Sequence, residues 1–281
     1  YGIHFDYNPF ANPAALYPRL PAVDWLAARG GRCAPVGWQF PANVLTLAGV
    51  QDARLYDAVT AAPFAAYMGG KPDVVEQAPT ARTRGAAVRY LWAERGWRPA
   101  GAGLRPVYED RSGVIYEDAA ALPRAYVAAA WRVAADAAAV RAAVDAGGGL
   151  PAVEDPRHGL PPAPETAGPP VAAEVRQVSD CECRVHLPGG TAGLLVLNDI
   201  AYPGWTAAVD GRPAEILQVN GAFRGVRVGA EDREVVFEYR PRSFRWGARL
   251  SLLGLALAAA AGTGLRGKGS AVETTRRFGD L

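Results

Sequence analysis

Residues Leu194 to Leu265 read LLVLNDIAYPGWTAAVDGRPAEILQVNGAFRGVRVGAEDREVVFEYRPRSFRWGARLSLLGLALAAAAGTGL, and their reading decides the fold. Two dipeptides, Asp210-Gly211 and Asn220-Gly221, sit between short apolar runs. A type I′ turn needs positive φ at both central residues, which Asp, Asn and Gly tolerate, so each dipeptide predicts a hairpin. Together they predict a β-meander. The segment EVVFEYR alternates, with Val235, Phe237 and Tyr239 on one face and Glu234 and Glu238 on the other, as a half-buried strand requires. AFRGVRV puts Arg224 in phase with Val226 and Val228. A guanidinium on that apolar face needs a carboxylate or carbonyl partner, so a structural pairing is expected.

Working outward, the pattern from Val171 is all-β. AAEVRQV, CRVHL, GLLVLNDI, WTAAV, AEILQV, FRGVRV and EVVFEYR supply about seven regularly spaced strands, predicting a sandwich of jelly-roll type over 171–243. Before it lies GGGLPAVEDPRHGLPPAPETAGPP, residues 147–170, too rich in Gly and Pro for a helix or central strand, and therefore an expected linker. Residues 1–146 mix helical and strand signals and predict an α+β module. It opens with an extended, proline-rich lead-in and a short helix from Pro21 to a C-cap at Gly30. RCAPVGW and NVLTLAGV are expected strands, 57–68 and 83–94 expected helices. LRPVYED and GVIYED form a hairpin around Arg111-Ser112-Gly113, and RAYVAAAW adds a strand. Asp136 is expected to cap an alanine-rich helix that stops at Gly147.

At Phe244 the alternation ends. Leu250 to Leu265 is a 16-residue run without charge, and from Phe244 the apolar stretch reaches 22 residues. At 1.5 Å per residue that length matches a hydrocarbon core of about 30 Å, which predicts a transmembrane helix over 244–265. Arg245, Arg249 and Trp246 then fall at the membrane interface, and 266–281 forms a polar tail. Basic residues flank the run on both sides, so charge does not orient it.

The composition excludes several functions. A net charge of +2 with interspersed signs gives no nucleic-acid footprint. Cys33, Cys181 and Cys183, with His4, His158 and His186, do not make a four-ligand zinc pattern, so no metal is expected. Asp52, Asp57, Glu109 and Asp110 read as solvated carboxylates. No G-x-S-x-G or glycine-rich phosphate loop accompanies them, which argues against a hydrolase in the α/β part. The chain begins at Tyr1 without a signal peptide and is expected to continue a longer protein.

DIAYPGW, then VDGRPAEILQVNGAFRGVRV, then VVFEYRPRSFRWG before a terminal apolar helix resembles, in order and spacing, the C-terminal part of the YfhO family of bacterial membrane proteins. These are related to GT-C-type glycosyltransferases. PANVLTLAGVQDARLYD and VIYEDAAALPRAYV resemble it more weakly. The resemblance implies an upstream transmembrane bundle carrying the catalytic acid, hence no catalytic residue in this chain. It also implies a polyprenyl-phosphate-linked sugar donor, an envelope glycan acceptor, and residues 1–243 outside the bacterial cytoplasmic membrane with the tail inside. Partners are then the lipid bilayer, that bundle and the glycan, with no cofactor held by this chain. In the sandwich, Tyr202 and Trp205 flank a Pro-Gly turn where an aromatic platform for sugar stacking would form, and Asn198 and Asp199 are candidate hydrogen-bonding partners for hydroxyls. The competing expectation is that Trp205 packs in the core and Asp199 caps a turn. An alternative function is a membrane-anchored glycan-binding or scaffold ectodomain without enzymatic activity.

Overall fold

A computed structural model describes residues 20–37, 41–54, 61–70, 75, 78–99, 103–147, 150–154 and 168–266. Helix α1 (Pro21–Arg29) starts on its proline and ends where Gly30 turns to φ 66°, as its sequence predicts. It packs on a five-stranded sheet built from β1 (Arg32–Pro35), β2 (Gln51–Asp52), β3 (Val88–Ala93), β4 (Leu104–Asp110) and β5 (Gly113–Asp118). The spatial order is β2-β1-β3-β5-β4, with β1 parallel to β2 and β3 and the remaining pairs antiparallel. Leu26, Cys33, Tyr90, Trp92 and Ile115 fill the space under α1. The opposite face is covered by α2 (Ala62–Tyr67) and α3 (Ala81–Gly85), whose Thr80–Thr83 pair forms a reciprocal capping box.

The remaining strands make two facing sheets. β6 (Ala125–Ala128), β7 (Arg132–Ala134), β8 (Ala152–Glu154) and β9 (Val171–Ala172) open a seven-stranded sheet, with α4 (Ala137–Asp145) between β7 and β8. β10 (Glu174–Ser179) and β11 (Glu182–His186) begin a second sheet before β12 (Gly193–Ile200) returns to the first. β13 (Trp205–Val209) and β14 (Arg212–Ala214) lie in the second, β15 (Leu217–Val219) and β16 (Phe223–Val228) in the first, and β17 (Glu234–Tyr239) in the second. The orders are β7-β8-β15-β16-β12-β6-β9 and β10-β11-β17-β13-β14. Val185, Leu195, Leu197, Val226, Val235 and Phe237 form the core between them. Burial of each such side chain contributes about 1.5–3 kcal/mol. The result is an α/β layer and a sandwich-like pair of sheets.

Both predicted turns form. Asp210 and Gly211 sit at φ 46° and 77°, Asn220 and Gly221 at φ 53° and 74°. They do not make one meander, however. The chain crosses the sandwich between Ala214 and Leu217, so the first hairpin belongs to one sheet and the second to the other. Gly225 sits in a tight part of the core: a Cβ there would overlap Cγ2 of Val219 and lie 3.3 Å from Cδ1 of Leu194.

Other expectations need correction. The boundary at 147–170 is not where the layers change. β6 and β7 lie upstream of it, β8 lies within it, and all three are strands of the sandwich sheet. Of the linker, 148–149 and 155–167 fall outside the described residues. The expected strand at 43–50 is a 3-10 helix, Val44–Ala48, because Asn43 and Gly49 at either end are both left-handed. The expected helix at 83–94 ends at Gly85; Ala87, at φ 60°, breaks it, and β3 follows, buried on both faces. Of the helix expected at 57–68, α2 forms 62–67 between caps at Ala61 and Met68, and 57–60 lie outside the described residues.

Residues 239–281 form a separate unit. Its helix α5 (Arg242–Arg266) covers the stretch expected to cross a membrane, but among the described residues no helix is long and apolar enough to do so. Arg245 and Arg249 occupy its early turns. The uninterrupted run beyond them extends about 24 Å at 1.5 Å per residue, short of a hydrocarbon core of about 30 Å. Leu250, Leu252, Leu253, Leu255 and Leu257 are all exposed. Trp246 is exposed too, with the Arg249 guanidinium 5.2 Å from its ring centre.

Candidate functional site

The four residues singled out around the Pro-Gly turn separate in the fold. Tyr202 is 52% exposed at the turn following β12. Trp205 is half-buried and lies under the Arg224 guanidinium, 3.9 Å from the ring centre. Asn198 is buried; its side-chain amide donates to the Pro123 carbonyl at 3.0 Å. Asp199 gathers three arginines. Arg124 reaches it through Nε (3.1 Å) and Nη2 (2.7 Å), Arg32 through Nη2 (3.0 Å) and Arg224 through Nη2 (3.3 Å). A register shift in β12 between Leu197 and Ile200 turns Asp199 toward these cations. Asn198 and Asp199 are therefore engaged in holding the fold together, while Tyr202 and the rim of the arginine cluster face outward.

Arg32 comes from β1 of the α/β sheet, Arg124 from the entry to β6, and Arg224 from β16, so the cluster ties the α/β layer to the sandwich. Burial pushes Asp199 up, but hydrogen bonding from Arg124 and the charges of Arg124, Arg32 and Arg224 outweigh it and hold the carboxyl at about 2. Burial pulls Arg32 and Arg224 below the ordinary arginine value, more than Asp199 restores.

A second feature was not anticipated from sequence. A cleft of about 330 Å³ opens between the α/β layer and the seven-stranded sheet. Tyr67, Arg84 and Gly85 line one side, Tyr126 and Asn220 another, with Ala143 and Leu122 contributing apolar wall. Tyr67 donates to the Arg82 carbonyl at 2.8 Å, and its hydroxyl sits against Gly85, where a Cβ would come within 2.5 Å. Arg84 pairs with Asp118 at 2.7 Å, and Oδ1 of Asn220 accepts from the Ala152 amide at 2.8 Å. Burial pushes both tyrosine phenols up, so both stay neutral. The volume lies at the lower end of small-ligand sites, which run about 300–1,000 Å³. No sequence period points to this cleft because its lining comes from five separate segments.

The carboxylates read as solvated divide. The Asp52 side chain is fully buried and paired with Arg54 at 2.9 Å, a correction to that reading; Glu109 is exposed, 3.5 Å from Arg95. Asp110 accepts from the Tyr108 hydroxyl at 3.1 Å and the Ser112 amide at 2.7 Å, and Asp57 lies outside the described residues. Cys183 is buried, Cys181 exposed, and Nδ1 of His186 stands 3.7 Å from Glu234. Among the described residues no group of three His, Cys, Asp or Glu could hold a metal.

No family model matches the sequence, and no curated protein matches it. Two solved structures align with part of this chain, both of arabinofuranosyltransferase AftD from Mycobacteria. A point mutant aligns at 20% identity with a TM-score of 0.24, covering 27% of this chain and 6% of that one. The other structure aligns at 20% identity with a TM-score of 0.23, covering 29% and 6%. The matched part is thus a small fraction of AftD, and a likeness of that size carries no functional argument.

Proposed function

We propose that this chain is the accessory, non-catalytic part of a membrane-associated enzyme that moves sugar from a polyprenyl-phosphate carrier to an envelope glycan, and that it holds the acceptor glycan. The cleft between the layers carries this reading: neutral tyrosines, an amide and a guanidinium surround a cavity of about 330 Å³. Sugars are bound by such a mixture of aromatic edges and hydroxyl-matching polar groups. The ordered likeness to YfhO-type sequences around Tyr202-Pro203-Gly204-Trp205 supports the enzyme class. Attachment to the membrane falls to α5. Arg242, Arg245 and Arg249 gather around Trp246 on its first turns, suited to lipid phosphates, ahead of exposed leucines suited to the acyl boundary.

The test is glycan-array binding of the full chain beside its Ala143→Phe variant, which fills the cleft without removing a polar group. Binding of an envelope-type glycan that Ala143→Phe abolishes supports the reading. An array without hits, or binding indifferent to Ala143→Phe, overturns it. Anionic phospholipid vesicles should retain the full chain and lose it when residues 242–281 are removed.

A further inference from the structure

The cluster around Asp199 holds more positive charge than a structural clamp needs. Three guanidiniums, Arg32, Arg124 and Arg224, face one carboxylate, and among the described residues no second carboxylate pairs with any of them. Their other partners are neutral: Arg32 donates to the carbonyls of Ala86 (2.6 Å) and Asn198 (2.8 Å), and Arg124 to the Gln177 side chain (2.8 Å). Arg224 is the clearest sign of an incomplete site. Its side chain is 4% exposed, yet Nε and Nη1 are buried without a hydrogen-bond partner. Buried donors left unmade cost free energy, and a buried charge imbalance costs more, so a fold built only for stability would supply another acceptor. Trp205 and Phe237 supply ring faces, 3.9 Å and 5.3 Å from the guanidinium, that offset part of this. Arg32 and Arg124 keep 15% and 24% of their side chains exposed, so the cluster opens to solvent on their side.

We propose that Arg32, Arg124 and Arg224 form a receptor for a phosphate-class oxyanion, with Asp199 as a built-in competitor for the same donors. Planar guanidiniums match a tetrahedral oxyanion in paired hydrogen bonds, and three of them from two layers make the match geometric as well as electrostatic. The proposal stands on the arginine cluster and not on the cleft, so it can fail while the cleft reading survives.

The experiment titrates the full chain with inorganic phosphate at fixed ionic strength, with chloride as control, following heat and tryptophan fluorescence, since Trp205 touches Arg224. Saturable binding of phosphate and not of chloride is expected, with glucose 1-phosphate competing. Asp199→Asn removes the competitor and should tighten phosphate binding about tenfold. It should also melt at lower temperature than the unchanged chain and recover with phosphate but not with chloride. Where Asp199→Asn fails to fold, Arg224→Lys keeps the charge and removes the Nε and Nη1 donors, and should weaken phosphate binding about fivefold or more. Equal responses to phosphate and chloride in the unchanged chain, or an Asp199→Asn protein that binds phosphate no tighter, would overturn the proposal.

Discussion

Asp52 and Arg54 offer a direct test of what a buried ion pair does in this fold. Their side chains are 0% and 1% exposed. Oδ1 of Asp52 accepts from the Arg54 backbone amide (2.9 Å) and Nε (3.1 Å), while Oδ2 accepts from Arg54 Nη2 (2.9 Å) and the Asn43 amide (3.2 Å). Asp52→Asn leaves the guanidinium charged and buried against a neutral amide, which costs about 3–5 kcal/mol. That is a third or more of a typical stability of about 5–15 kcal/mol, and lowers the melting temperature by about 10 °C for a chain of this size. The double variant Asp52→Asn with Arg54→Met removes the stranded charge, keeps an acceptor for one of the two backbone amides, and fills the aliphatic volume. It should regain about 2 kcal/mol or more over the single change. Urea unfolding of the three proteins, with m-values compared, measures the cycle. An Asp52→Asn cost below about 1 kcal/mol, or a double variant as unstable as the sum of its parts, would refute the reasoning.

Gly225→Ala drives a methyl into Cγ2 of Val219, in the middle of the seven-stranded sheet. It should cost about 1–3 kcal/mol in urea unfolding, whereas Gly189→Ala, with open space around it, should cost much less. Asp199 sets an acid limit. Its carboxyl is held at about 2 against an ordinary 3.8, so its contribution of roughly 2 kcal/mol is complete above pH 3.8 and lost as pH falls toward 2. Asp199→Asn should flatten that part of the acid-unfolding curve; an unchanged curve would show that other carboxylates govern it.

Much of the architecture was legible because short-range physics settles it. Asp210-Gly211 and Asn220-Gly221 turn because all four residues accept positive φ, Pro21 starts its helix with a fixed φ and no N–H to leave unpaired, and Gly30 and Asp136 mark helix ends through one hydrogen bond each. Arg224, in phase with valines, needed a carboxylate, and Asp199 supplies one. Residues 83–94 misled because one positive-φ residue, Ala87, turns a capped helix into the central strand. The apolar run after Phe244 forms its helix, yet Arg245 and Arg249 shorten the part that lipid would accept.

The sequence by itself determined the turns, the caps, the strand-rich second half and the continuous terminal helix, because each depends on residues within a few positions of one another. Only the tertiary structure decided which sheet each hairpin joins, that β6 to β8 belong to the sandwich, and that Arg32, Arg124 and Arg224 meet at Asp199. Those outcomes depend on contacts between residues up to 167 positions apart. Packing and desolvation select them over the whole molecule, and no local pattern in the chain encodes which distant partner will be found.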